Sequence, residues 1–391
     1  MNVLIIKFKS KVLLAALIGC AFSCSPRGDK SSVSFVDVNG HKIAVVSLDD
    51  LKSEPITIPL SSLLNDLSIV QLETNDDAFF KPWFTTLTEN YIGVINHNGS
   101  YKLFDRSGKF LCNVGSKGQG PGEYFLSPYD DIIDDKNGLI YLAPFMSVNI
   151  LVYNTSGQFI KNIVAPERLN KAKLHLSGNV LTVFHMAFDN TRSIAYRFDV
   201  NSGQVLNELA PPENFLVYDF EGEIFNTKNI PGILDFSHTV SDTLYHFDIE
   251  RNSILPRFTA EYTSTENPVK TYLQLNQNLI LTSIFVLGTN PETGRPGFIN
   301  KGVVATDLKA KTTSYITIVN DFLGNIPVSA NFVTFRNGYY VYNVQPEQLM
   351  DEIENRLTES SCTEKDRLVL RETLSKLKEN TNNVVLFGKL K

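Results

Sequence analysis

Six histidines are scattered along the chain, at His41, His97, His175, His185, His238 and His246. None belongs to a His-Glu-x-x-His or comparable zinc spacing, so no metal-ligating set is assigned. His175 and His185 fall in one segment and are expected on different strands. Acids pair at Asp130-Asp131 and Asp134-Asp135. These are read as solvated turn carboxylates, with Ca²⁺ binding as the alternative. No Gly-x-Ser-x-Gly elbow or other nucleophile signature occurs. The string Gly115-Ser-Lys-Gly118-Gln-Gly120-Pro121-Gly122-Glu123-Tyr124 invites a phosphate-loop reading. It lacks both the Gly-x-x-x-x-Gly-Lys-[Ser/Thr] order and the Gly-x-Gly-x-x-Gly order. It is expected to be a connector whose glycines let backbones approach closely, with Glu123 accepting from loop N–H groups. Phe79, Phe80, Trp83 and Phe84 cluster around Pro82; burial is expected, with sugar stacking or peptide clamping as the alternative. No catalytic residues and no cofactor are assigned.

The two N-terminal cysteines have a different chemistry. Residues 1–11 are cationic through Lys7, Lys9 and Lys11, and residues 12–23 are apolar. This is a charged segment followed by a hydrophobic run too short to span a bilayer comfortably. Leu17-Ile18-Gly19-Cys20 fits a lipoprotein box, and Ala21-Phe22-Ser23-Cys24 is a second candidate ahead of a Ser-Pro-Arg-Gly tether. Lipidation is therefore expected at Cys24 or Cys20, with residues 1–23 as signal and 24–33 as tether. Two acyl chains on that cysteine make stable anchoring. The remaining Cys112 and Cys362 lack metal-ligand spacing and are expected as buried thiols.

These residues need elements to hold them. Aromatic residues at 11%, with 23 Gly and 17 Pro, suit many short strands joined by turns. The net charge of −6 with interspersed signs argues against nucleic acid as a partner. One pattern recurs about every 50 residues, the length of a four-stranded propeller blade. An alternating strand ends in Asp or Asn, a short polar turn follows, and a second strand leaves it. The anchors are Asp105, Asn154, Asp199, Asp248 and Asp307. An Asp or Asn side chain accepts bonds from N–H groups inside such a turn, and glycine supplies the positive φ. Inner-strand signals precede the anchors at Tyr91–Ile95, Leu139–Leu142, Val180–Phe184 and Leu279–Ser283. Gly338–Tyr342 opens a sixth unit.

That unit is interrupted. Pro346 to about Thr358 and Thr363 to about Glu379 have helical apolar spacing, the second behind a capping box with Asp366 in the Glu position. A final strand begins at Val384. Ring closure is expected between residues 56–74 and 384–391, because pairing the two ends removes free edges. The fold expected is all-β, a six-bladed β-propeller over residues 34–391 with a helical insert at about 346–379.

The Gly-rich string, Leu60-Ser61 with Gln71–Thr74, Ser241–Tyr245 and the insert ending in Asn382–Phe387 together resemble the six-bladed propeller lipoproteins of Bacteroidetes, relatives of NHL-type propellers. The resemblance covers about residues 34–391 and implies fold and export rather than an activity. Two functions are expected as alternatives. One is a non-enzymatic binding or scaffold module for a protein, peptide or glycan, monomeric and anchored to the outer membrane on its periplasmic or outer face. The other is a metal-dependent hydrolase or lyase with its site in the central channel.

Overall fold

A computed structural model describes residues 5–9 and 33–391, apart from residues 39, 50, 52–53, 189, 218–221, 263–267, 290–293 and 332. Cys20, Cys24 and the rest of residues 10–32 lie outside the described residues.

Each turn anchor works within its own few residues. Asp105 Oδ1 accepts Ser107 N at 2.8 Å and Lys109 N at 3.0 Å, with Gly108 at φ 89°. Asn154 Oδ1 accepts Ser156 N and Gln158 N, and Asp199 Oδ1 accepts Asn201 N and Ser202 N. Asp248 accepts Arg251 N, and Asp307 accepts Lys309 N and Ala310 N. These turns join the third and fourth strands of blades 1 to 5.

Blade 1 comprises Pro82–Leu87, Tyr91–Asn96, Tyr101–Asp105 and Phe110–Val114, all antiparallel. Blade 2 runs from Pro128–Asp134 to Phe159–Leu169 and blade 3 from Lys173–Ser177 to Val205–Leu209. Blade 4 runs from Ile224–Phe225 to Ser253–Glu261 and blade 5 from Val269–Gln274 to Thr312–Asn320. Blade 6 is Phe335–Arg336, Tyr339–Val344 and Val384–Lys389, completed by Asp66–Gln71 from the N-terminal side. The apolar runs expected as inner strands are therefore second strands. The innermost strands mix charges and hydroxyls with apolar residues, as at Asp130-Asp131, Lys173 and Lys270-Thr271, which hides them from a hydropathy reading.

Antiparallel four-stranded blades give the ring two unlike faces. Blade-to-blade connectors and second-to-third-strand turns lie on one, the connector face. First-to-second and third-to-fourth-strand turns lie on the other, the turn face.

Closure is narrower than the sequence reading. Val384 to Phe387 pair with Gln71 to Ser68, whereas Ile56–Pro59 runs parallel to blade 5's outer strand. His41–Ser47 likewise adds parallel to blade 4's outer strand, and Val33–Val38 pairs with it. Ile5–Lys9, within the cationic segment, lies antiparallel along Asp66–Gln71. Ile69, Val70 and Val385 are completely buried at the closure, each worth roughly 1.5–3 kcal/mol.

The insert forms helices Pro346–Thr358 and Glu364–Leu374, and the Thr363/Asp366 capping box is present. Leu349, Ile353, Leu370 and Leu377 join the core of blades 5 and 6, and Arg356 Nε donates to Gly324 O at 2.7 Å.

Gly388 gives a test of the closure. A Cβ there would sit 2.2 Å from the Asp66 carbonyl oxygen, on the closing strand. Gly388→Ala is expected to destabilise the fold by roughly 1–3 kcal/mol through overpacking. Urea unfolding should show the lower midpoint, and limited proteolysis should cut first near residue 66.

Candidate functional site

Asp130 and Asp131 are neighbours on the innermost strand of blade 2, yet both are buried, at 3% and 1% exposure. An alternating strand would turn them to opposite faces; a register shift after Pro128 adjusts the local geometry. Asp131 Oδ1 accepts Thr86 Oγ1 at 2.7 Å, and Oδ2 accepts Tyr101 OH at 2.8 Å, both from blade 1. Asp130 Oδ2 accepts Leu174 N of blade 3 at 2.7 Å and Lys228 Nζ of blade 4 at 2.6 Å. Arg336 of blade 6 reaches both carboxylates, at 3.1 and 3.3 Å. Burial pushes the Asp130 carboxyl up, but Lys228, Arg336 and Lys173 outweigh it and hold it below the usual range. Burial and the Asp131 charge push the Tyr101 hydroxyl far up, so it stays a donor.

This corrects the turn reading of Asp130-Asp131. They are the centre of an ion network, with two protein cations beside them. Asp134 and Asp135 do serve turns: Asp134 accepts Asn137 N, and Asp135 accepts Thr88 Oγ1 and Asn90 N. Lys228 reaches the network from a backbone at φ 55°, a strained region for lysine, with its N–H bonded to Asn226 Oδ1.

Above the network, on the connector face, stands a second set. Tyr129 OH donates to Glu223 Oε2, and Ile224 N donates to Glu223 Oε1 at 3.0 Å. Lys171 and Lys173 flank that carboxylate at 3.9 and 3.8 Å. The Lys173 ammonium lies 4.4 Å from the Tyr129 ring centroid and 5.7 Å from that of Phe84. Trp83 meets Tyr129 edge-on at 5.0 Å, and Phe145 lies 5.3 Å beyond. The aromatic cluster of the sequence thus divides. Trp83 and Phe84 serve this mouth, Phe80 packs on Phe104 in the closing core, and Phe79 is exposed.

A cleft of about 1170 Å³ opens on the connector face across blades 4 and 5 and the segment that leads from blade 5 to blade 6. Val217, Val240, Phe285, Phe298, Ile316 and Val328 are among its apolar walls, and Gly222 and Glu223 also line it. A hollow of about 540 Å³ shares Pro327 to Ser329 and Asn331 with it and continues to Trp83 and Tyr342. On the turn face, a pocket of about 480 Å³ meets the ion network at Asp131 and Lys228.

The Gly-rich string lines none of these cavities. It connects blades 1 and 2: Gly120 N donates to Glu123 Oε2 at 2.8 Å, and Tyr153 OH donates to Gly122 O at 2.8 Å. Tyr124 OH accepts Tyr101 N, and Gly115 and Gly122 have φ of 66° and 71°. Side chains at Gly115 and Gly118 would collide with Tyr153 and Glu123, and Pro121 stands exposed at the tip.

His175, His185 and His238 are separate and buried, and burial lowers each pKa to about 4. His246 Nδ1 lies 2.7 Å from Asp235 Oδ1, and His97 stands edge-on to Trp83. Among the described residues, no three His, Cys, Asp or Glu side chains assemble as a metal site. Cys112 and Cys362 are free thiols. The sequence reading missed Tyr129, Lys173, Glu223, Lys228 and Arg336. A charge set inside or beside an apolar run, as in Lys173-Leu-His-Leu, was the available signal.

Residues 43–389 match the family described as Domain of unknown function (DUF4934). Among solved structures, a protein of Bacteroides fragilis (BF0058) described as exported is similar, at 15% identity. The match covers 89% of this chain and 99% of that one, with a TM-score of 0.57. A DUF4221 family member from Bacteroides vulgatus is 14% identical, over 83% of this chain and 98% of that one, with a TM-score of 0.44. The first likeness concerns the fold alone. No curated protein matches the chain.

Two outcomes test this geometry. Arg336→Met leaves Asp130 and Asp131 short of a shared cation and is expected to cost about 3–5 kcal/mol in urea unfolding. Acid should also weaken the fold. A histidine whose folded pKa lies below the ordinary 6.5 stabilises fully above 6.5 and loses that contribution as pH falls toward 4. Each of the three is worth on the order of 2–3 kcal/mol. The melting temperature should drop steeply between pH 6.5 and 4, and His185→Phe should flatten the drop.

Proposed function

The chain belongs to the DUF4934 family, and we propose that it is a non-enzymatic binding module of the cell envelope that holds a protein, peptide or glycan on its connector face. One observation carries this: the 1170 Å³ cleft continues into an aromatic mouth, while the axis beneath is filled by mutually neutralised charges. Concave, mainly apolar walls with a few convergent polar groups are what ligand sites present. Hydrolysis or elimination at the axis would need a carboxylate free to take or give a proton. Asp130 and Asp131 are committed to Lys228, Arg336, Thr86 and Tyr101.

The N-terminal signal, with Cys24 or Cys20 as acyl acceptor, supports a lipid anchor in the outer membrane. Among the described residues, no helix is long and apolar enough to cross a membrane. The closed ring supports a monomer.

Diazirine side chains placed in living cells test the reading. Val240 and Phe298, exposed at the cleft rim, should each give a discrete adduct. Val205, exposed on blade 3's outer strand, should not. Absence of rim adducts, or equal labelling from Val205, would overturn it.

A further inference from the structure

His175 stands on the wall of the turn-face pocket, and its surroundings leave it incomplete. It is 8% exposed, and its Nε2 has no hydrogen-bond partner among the described residues. Alternation along Lys173–Ser177 puts His175 on the same side as Lys173, toward the axis, while Leu174 between them enters the core of blades 2 and 3. The ring lines the pocket of about 480 Å³ together with Lys228. Among the described residues, it is the only buried side chain with an unpartnered nitrogen or oxygen that lines any of the three cavities. A buried polar atom in this condition marks a place where a further group belongs. Burial, with the Lys228 charge adding to it, lowers the His175 pKa to about 4. The ring is therefore neutral near pH 7, with one nitrogen that donates and one that accepts.

The rest of the wall gives the chemistry of that group. Each charged side chain on it already has a partner. Asp131 accepts from Thr86, Tyr101 and Arg336, and Lys228 donates to Asp130 Oδ2 and Asp131 O. Glu89 pairs with Lys389, and Asp135 accepts from Thr88 and Asn90. An ionic ligand would meet no opposite charge left open for it. A hydroxyl both donates and accepts, so it matches the ring in either tautomer. Leu87, Leu176, Ile230 and Pro231 make the remaining wall apolar. A water molecule would satisfy the nitrogen and make no use of that wall. A sugar ring carries hydroxyls at its rim and C–H groups on its faces, which suits both kinds of surface. The volume falls within the roughly 300–1,000 Å³ of ligand pockets.

We infer that the turn-face pocket is a second ligand site, on the face opposite the large cleft, and that it takes an uncharged monosaccharide unit with one hydroxyl bonded to the His175 ring. The apolar side chains then pack on the sugar's C–H face. This site does not depend on what the connector face holds.

The ring nitrogens of the full mature chain, carrying isotope-labelled histidine, report on the site by NMR, with His175→Gln assigning the His175 signals. The protein is titrated with methyl β-glucoside, methyl β-galactoside and methyl α-mannoside, with methyl β-glucuronide and glucosamine as charged counterparts, and with glycerol. At least one neutral glycoside should shift the His175 ring signals saturably, and the charged sugars should bind roughly tenfold more weakly. His175→Leu should weaken that glycoside roughly tenfold, read by calorimetry, without lowering the melting temperature at pH 7, because it removes an unsatisfied buried polar atom. His175→Gln, which keeps a donor and an acceptor, should hold the affinity within a few-fold. No shift at His175 with any glycoside would mean that the ring is only hydrated and would overturn the inference. Glucuronide or glucosamine binding more tightly than every neutral glycoside would overturn the uncharged assignment, and glycerol binding as tightly would overturn the sugar. Unchanged affinity in His175→Leu, or a melt several degrees lower, would overturn the ring's part in binding. None of these outcomes touches the connector-face reading, which the rim adducts at Val240 and Phe298 decide separately.

Discussion

The meeting of Asp130 and Asp131 with Lys228 and Arg336 decides what this propeller can do. Two buried carboxylates side by side are costly to desolvate without hydrogen-bonding and cationic partners. The partners come from around the ring: Thr86 and Tyr101 from blade 1, Leu174 N from blade 3, Lys228 from blade 4 and Arg336 from blade 6. Each bond holds only if the blades keep their spacing, so the network ties five blades to one point. It also divides the channel. The turn-face pocket lies on one side, and the cleft and mouth lie on the other.

Ring closure is the complementary constraint. A propeller whose first and last strands stay apart has two open edges and a ring free to spread. Here the N-terminal chain runs along the outside of blades 4 and 5 before Asp66–Gln71 closes blade 6. The helical insert, Leu60–Leu63 and the last blades then share one core. That side of the ring is thick and covered. The large cleft opens at its connector-face margin.

Much of the fold was legible because its repeat is local. An aspartate that accepts N–H groups two to four residues away needs nothing from the rest of the chain, so Asp105, Asn154, Asp199, Asp248 and Asp307 marked the blades. The capping box at Thr363 and Asp366 was readable for the same reason. The order of strands within a blade was misread. Second strands are apolar on both faces and stand out, while innermost strands mix charges with apolar residues and do not. Asp130-Asp131 looked like a polar turn because two adjacent acids rarely share a buried strand.

By itself, then, the sequence determined the all-β repeat, the anchored turns, the helical insert and the pairing of the chain's two ends. These depend on contacts within a few residues or on simple alternation. Only the tertiary structure decided which charges meet at the axis. Lys228 and Asp130 are 98 residues apart, and Arg336 and Asp130 are 206 apart. No local pattern links such residues, because the energy that selects them comes from removing them from water together. The place of Lys173, between Glu223 of the next blade and the Tyr129 ring of the previous one, was decided in the same way.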